Sequence, residues 1–258
     1  MKSLLQIIRL PADAEEKYGF AHHLWLTIAL TALGCCVGVL ALMFAATAYL
    51  ELPSGAIFRS YFQHPLILLL NLLPPVLLIW LFYFVSRRAW VGFLGSFLPV
   101  IGVSLVNYFK IRLRSDPLLG SDLRLAAEAR GIVGGYSLDL TWLVWLALAC
   151  LVAGLLFAIF LLPNGLRGGW DRAFGAASCL ALMGVSFVSL YCSPQIYQKT
   201  ANNDWINQWS DVEVFVSKGC IYPFLYSFQD MFPAPPPGYQ EEAAASLLAQ
   251  YPDCDIPE

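Results

Sequence analysis

The sequence predicts an all-α integral membrane protein with five transmembrane helices. Three observations lead there. Hydrophobic residues make up 59% of the 258-residue chain and charged residues only 13%, against about half and about a quarter in soluble domains. The apolar excess is gathered into charge-free runs of about 20 residues, the length that crosses a hydrocarbon core of about 30 Å. Within those runs polar and apolar residues do not alternate as barrel strands require. The net charge of −3 says little about partners, because the charges are partitioned among the connections.

Residues 1–23 form a polar cytoplasmic lead containing Lys2, Arg9 and Lys17. Its piece "SLLQIIRL" suits a short amphipathic helix that Pro11 ends. The first span is expected over 24–48. Ala46-Thr47-Ala48 resembles a signal cleavage site, but the apolar region exceeds the roughly 15 residues of a signal core, so a retained helix is preferred. The second span, 65–85, contains Pro74-Pro75, which free backbone carbonyls and should kink the helix; Arg87-Arg88 end it. The third span is 89–108. The fourth, 140–162, is led by Trp142 and Trp145, and the glycine-rich "PNGLRGGWDR" turns the chain into the fifth, 173–192. Residues 24–192 are therefore the transmembrane domain.

Residues 193–258 read as an extracellular linker that does not return to the membrane. Trp205, Trp209, Phe215, Tyr222, Phe224, Tyr226 and Phe228 suit an interfacial aromatic belt, with a docking surface as the sharper alternative. Pro233 and Pro235 to Pro237 make a stiff spacer before a helix over 239–251. Gly34 and Gly38 form a GxxxG on the first span, read as packing within the chain ahead of dimerisation.

Five spans put the two ends on opposite sides of the membrane. With the N-terminus inside, cytoplasmic segments hold seven basic residues (Lys2, Arg9, Lys17, Arg87, Arg88, Arg167 and Arg172). The opposite short connections hold six: Arg59, and Lys110, Arg112, Arg114, Arg124 and Arg130 in the stretch "YFKIRLRSDPLLGSDLRLAAEARG", residues 108–131. Without that stretch the count is seven against one. The basic flank of the first helix favours N-in, C-out, which leaves the stretch holding its charge outside for a reason of its own.

Chemistry is sparse. The span interiors contain no Asp, Glu, Lys, Arg or His, which argues against a pump or ion-coupled carrier. Asn71 is the main mid-span amide and suits a helix-to-helix hydrogen bond. No phosphate loop, zinc-protease pair or nucleophile elbow is present. Seven cysteines occur. Cys35, Cys36, Cys150 and Cys179 fall in apolar runs as small packing residues. Cys220 and Cys254 lie in the tail, where a disulfide is an open alternative if the tail is extracellular. No metal-ligand spacing is found.

The 108–131 stretch is the informative part. "KIRLR" alternates basic and apolar residues, so an extended or interfacial segment would present Lys110, Arg112 and Arg114 together. Asp116-Pro117 and Gly120 break the chain. Ser121 suits the N-cap of a short interfacial helix "DLRLAAEAR", with Asp122 in its first turn, Arg124 and Glu128 four apart as a pair, and Gly131 at its end. Guanidinium groups match phosphate in a bidentate way. Recognition of an anionic lipid head group by Lys110, Arg112, Arg114, Arg124 and Arg130 stands beside the plainer alternative of a solvated, lipid-adsorbed loop.

The stretch also resembles a family. "NYFKIRLRSDPLLGSDLRLAAEA" is similar to the segment after the third span in lipoteichoic acid synthase-like membrane proteins. The matching positions are Asn107, Tyr108, Lys110, Arg114, Pro117, Leu118, Ser121, Asp122, Leu123 and Glu128, with Ser115 where the pattern has glycine. "GCIYPFLYSF" and "PPPGYQEEAAASLLAQY" resemble later parts of the same plan. The resemblance implies a phosphoglycerol transferase of the sulfatase type, acting on phosphatidylglycerol at the outer face of a bacterial plasma membrane. It implies a manganese-dependent external catalytic domain beginning after "YPDCDIPE", so that no catalytic or metal-binding residue and no cofactor belongs to these 258 residues. The expected role is a membrane anchor that presents phosphatidylglycerol to the catalytic domain, in cis or in trans. A stand-alone scaffold or regulator recruiting a separate enzyme is the alternative, and a small carrier or channel a further one.

Overall fold

The computed structural model describes residues 20–124, 141–162, 169–200, 206–231 and 246. Helix α1 (Phe20–Ala48) crosses first, and α2 (Ser54–Gln63) follows it as a short amphipathic piece. Helix α3 (Pro65–Ser86) returns, and α4 (Ala89–Arg114) and α5 (Trp142–Phe160) complete the next two crossings. Helix α6 (Gly169–Ser186) runs into a π turn at Phe187–Tyr191. The tail then adds α7 (Pro194–Lys199), α8 (Asp211–Ser217), α9 (Ile221–Tyr226) and a 3-10 turn at Ser227–Met231. Five helices are long and apolar enough to cross a membrane: Leu24–Ala48, Pro65–Ser86, Ala89–Arg114, Trp142–Phe160 and Trp170–Tyr191. The chain is an all-α multi-pass membrane protein, and no strand occurs among the described residues.

The bundle core is α1, α3 and α4 packed on one another, with α5 against α4 and α6 against α3. Close approach explains the glycines of α1. A Cβ on Gly34 would come within 2.9 Å of the Val76 backbone, and one on Gly38 within 2.5 Å of the Leu72 side chain. The GxxxG face is therefore packing within the chain, where small residues let backbones meet.

Proline punctuates α3. Pro65 opens it, where a missing N–H costs nothing. Pro74 removes the donor that would reach the carbonyl of Leu70. The Tyr191 hydroxyl donates to that carbonyl instead, at 2.7 Å. The helix stays continuous through both prolines. Arg87 ends it in the left-handed region (φ 63°), its N–H donating to the Tyr83 carbonyl. The Arg172 guanidinium then covers the carbonyls of Phe84 and Val85 (3.4 and 2.7 Å), as cations at helix C-termini do.

Helix α4 departs from the predicted third span. It runs on through "KIRLR" to Arg114. Lys, Ile, Arg and Leu are adequate helix formers, basic residues in the last turn favour the C-terminal dipole, and Arg112 pairs with Tyr108 one turn back. At 1.5 Å per residue the 26 residues reach about 39 Å, so the last turns stand clear of a hydrocarbon core of about 30 Å. The segment is not extended. On a helix, Lys110 and Arg114 share a face, and Arg112 lies on the opposite one.

The tail also departs from the linker reading. It folds back over the end of the bundle formed by the C-termini of α1 and α4 and the N-terminus of α3. Phe215, Tyr222 and Phe224 are buried there, whereas Trp209 is 96% exposed. The spacer at Pro233 to Pro237, the helix expected over 239–251 (Ser246 aside), Trp205 and the 1–19 lead fall outside the described residues.

Candidate functional site

The capped end of the bundle is held by hydrogen bonds between side chains and distant backbone. Asn71, fully buried in the second turn of α3, is the anchor. Its Nδ2 donates to the carbonyls of Ile67 and Lys218, both at 2.8 Å. Its Oδ1 accepts from the N–H groups of Ile221 and Tyr222, both at 3.2 Å. The amide expected to join two spans joins a span to the tail. The Tyr61 hydroxyl donates to the Val216 carbonyl beside it. Gly219, at φ +100°, lies against Asn71, and a Cβ there would come within 2.5 Å of Oδ1. Only glycine fits both the dihedral and the space.

The stretch after α4 is fastened to the same cap. Ser115 ends α4 in the left-handed region (φ 51°, ψ 41°), its N–H donating to Ile111. This is a position that glycine fills without strain. The Asn107 Oδ1 accepts from the Leu118 N–H at 2.9 Å, while its Nδ2 is buried without a partner among the described residues. Leu118 packs with Phe215 and Phe224 of the tail. The Gly120 N–H donates to Ser227 Oγ at 2.7 Å. A Cβ on Gly120 would stand 3.1 Å from the Phe228 backbone. Arg124 Nη1 donates to the Met231 carbonyl at 2.9 Å.

These contacts redistribute the five basic residues. Lys110 Nζ lies 2.6 Å from Asp116 and 2.8 Å from Asp122, and donates to the Pro117 carbonyl at 2.7 Å. With three acceptors and a side chain only 13% exposed, its ammonium closes the turn and is not turned toward a ligand. Asp122 also accepts from the Leu119 N–H at 2.7 Å. The Ser121 hydroxyl makes no capping bond among the described residues, and its carbonyl accepts from Arg124 N–H. Tyr108 is buried edge-on to Phe44, and its hydroxyl accepts from Arg112 Nη1 at 2.6 Å. Arg112 is nonetheless exposed, as are Arg114 and Arg124. Pro117 is buried. Glu128, Arg130 and Gly131, and with them the Arg124–Glu128 pair and most of the interfacial helix, lie outside the described residues. The site therefore has a rim of Arg112, Arg114 and Arg124, and a structural set of Asn107, Tyr108, Lys110, Pro117 and Asp122.

Two residues of the cap carry no local sequence signal. Lys218 is 1% exposed. Its Nζ donates to the Tyr197 carbonyl at 2.6 Å and stands 4.2 Å from the centre of the Tyr197 ring. That ring stacks on Tyr226 at 3.7 Å. No carboxylate lies within ion-pair distance of Lys218 among the described residues. Burial lowers its pKa to about 8. Cys220 is a free, fully buried thiol, and Cys254, its partner in the open disulfide alternative, lies outside the described residues. Burial pushes the thiol up to about 12, which leaves it unreactive in the folded state.

Among the described residues no three His, Cys, Asp or Glu side chains gather to hold a metal ion. Comparison of the chain with protein-family models, with curated proteins and with solved structures finds no match.

Proposed function

We propose that the chain is the membrane anchor and lipid-presenting module of a lipoteichoic acid synthase-like phosphoglycerol transferase. It would lie N-in and C-out in a bacterial plasma membrane and hold phosphatidylglycerol near the outer leaflet for a catalytic domain in cis or in trans. The supporting observation is the joining of the 115–124 connection to the 211–231 tail at one end of the bundle, with Arg112, Arg114 and Arg124 exposed around it. A connection built this way sets guanidinium groups at head-group height and fixes the path of the chain leaving the membrane. The N-in orientation is supported by Arg87, Arg88 and Arg172 at the opposite end.

The test replaces the exposed pair, Arg112→Gln with Arg114→Gln, and leaves Lys110 in place. A basic residue near an anionic membrane surface is worth about 1 kcal/mol, so the double variant should lose about 30-fold in preference for phosphatidylglycerol over phosphatidylcholine. Competition between the two lipids for the purified chain measures it. An unchanged preference would sink the head-group reading.

A further inference from the structure

The connection between the first two spans is short and folded. Only residues 49–53 separate Ala48, the end of α1, from α2, and only His64 separates α2 from Pro65, the start of α3. His64 leaves the helical region (φ −113°, ψ 90°), so α3 is not a continuation of α2. At a reach of about 3.5 Å per residue, that single residue holds the C-terminal end of α2 at the mouth of a span. Helix α2 also packs against both α1 and α3. It therefore stays at the bilayer surface, at the same end of the bundle as the tail.

At 3.6 residues per turn, the ten residues of α2 divide among three faces. Ile57, Ser60 and Tyr61 are buried. The Tyr61 hydroxyl donates to the Val216 carbonyl, and Ile57 and Val216 share the bundle core, so this face belongs to the bundle and its cap. About a third of a turn round the helix lie Phe58 and Phe62, their rings edge to face at 5.2 Å. Phe62 is 49% exposed, and Phe58 is partly buried. Arg59 and Gln63 take the remaining face and are exposed. The apolar side runs on into α3, where Leu66 and Leu69 are exposed on a helix long and apolar enough to cross the membrane. A helix lying in the interface needs this partition, with an apolar flank for hydrocarbon and a basic, polar flank for water.

We infer that α2 is an in-plane anchor whose partner is the lipid surface itself: Phe58 and Phe62 enter the acyl-chain edge of the leaflet at the capped end, while Arg59 and Gln63 face phosphate and water. The occupant follows from chain continuity. Phe62 stands one residue from His64 and the start of a span, so hydrocarbon is the neighbour within its reach. Tyr61 then joins the anchor to the tail and sets the depth of the cap. The inference stands apart from the head-group reading, since it needs no anionic lipid and none of the arginines of the 108–131 stretch.

The test uses the full chain in phosphatidylcholine nanodiscs, with the seven native cysteines replaced by alanine and one cysteine introduced by Arg59→Cys, Phe62→Cys or Gln63→Cys. All three positions are exposed in the protein, so protein packing alone gives similar rates of reaction with a charged maleimide. A thiol in hydrocarbon ionises less readily, so Phe62→Cys should label at least about tenfold slower than Arg59→Cys and Gln63→Cys. Equal rates would overturn the anchor. The unmodified chain supplies the second measurement, with a phosphatidylcholine that carries a photoactivatable group near the start of one acyl chain. Adducts should form on Phe58 and Phe62, and adducts confined to the spans would overturn the anchor as well. In vesicles of the same lipid, ready disulfide pairing of Phe62→Cys chains under copper–phenanthroline would assign the face to a second copy of the chain and overturn the lipid partner. Because phosphatidylcholine carries no net charge, none of these readouts depends on the lipid preference tested by Arg112→Gln with Arg114→Gln.

Discussion

Replacing Asn71 by leucine should detach the tail from the bundle while leaving the five spans in place. The side chain joins α3 to the tail through three bonds: one to the Lys218 carbonyl and one each from the Ile221 and Tyr222 N–H groups. A neutral hydrogen bond contributes about 1 kcal/mol net, and a buried group left without a partner costs about 1–3 kcal/mol. Leucine fills the space of the amide but satisfies none of the three backbone groups. The cap should lose about 3–5 kcal/mol. At 1.4 kcal/mol per tenfold, its open population rises by at least about two orders of magnitude.

Cys220 reports that opening directly. Its thiol is fully buried and free, and it can react with a maleimide only when the cap lifts. With the other six cysteines replaced by alanine, the labelling rate of Cys220 in detergent measures the open fraction. Asn71→Leu should label about 100-fold faster than the single-cysteine parent. Tyr61→Phe, which loses one bond to the Val216 carbonyl, should label about fivefold faster. Rates for Asn71→Leu within threefold of the parent would refute the reasoning, because the tail would then be held by apolar packing alone.

The remaining predictions concern the two ends of the cap. Ser115→Gly should raise the thermal midpoint of the purified chain by an increment worth about 0.5–1 kcal/mol, since the left-handed C-cap suits glycine; a lower midpoint would contradict the strain argument. Lys218 has a folded pKa lowered to about 8 from 10.5, so above pH 8 the unfolded chain binds more protons than the folded one and stability rises with pH. Each pH unit contributes at most about 1.4 kcal/mol. The wild-type chain should therefore gain stability relative to Lys218→Met between pH 8 and 9.5 in parallel thermal melts. Taking the difference removes the opposing contribution of the buried thiols and tyrosines, and a flat difference would refute it.

The spans were legible because they are long and free of charge, two properties that need no tertiary information. The end of α4 was not, because hydropathy falls at Asn107 while helix propensity and the last-turn dipole continue to favour the helix through Arg114. Ser115 was legible as an anomaly: a serine where glycine was expected stands in the one backbone region that glycine prefers. The tail was opaque for a different reason. Its apolar residues follow no sustained period, and its anchor is an amide 147 residues away in sequence that binds backbone rather than side chains. Lys218 gave no signal, since a lone lysine in a polar segment reads as solvated.

Lys110 shows why the charge of the 108–131 stretch cannot be treated as one quantity. A helix carries Lys110 and Arg114 on one face and Arg112 on the other, and the chain then turns so that Asp116, Asp122 and the Pro117 carbonyl close on Lys110 alone. Neutralising Lys110 would leave two carboxylates and a carbonyl facing one another in a partly buried turn. The same turn carries Leu118 into the tail's aromatic cluster and Gly120 onto Ser227. Any loss of lipid binding in a variant that includes Lys110 could then arise from a displaced cap. Arg112 and Arg114 are different: neither closes the turn, so their replacement removes charge and, at Arg112, one hydrogen bond to the Tyr108 hydroxyl. The basic stretch therefore has two separable parts, a lysine that builds the platform and arginines that stand on its rim, and only the second part can be tested as a surface for anionic lipid.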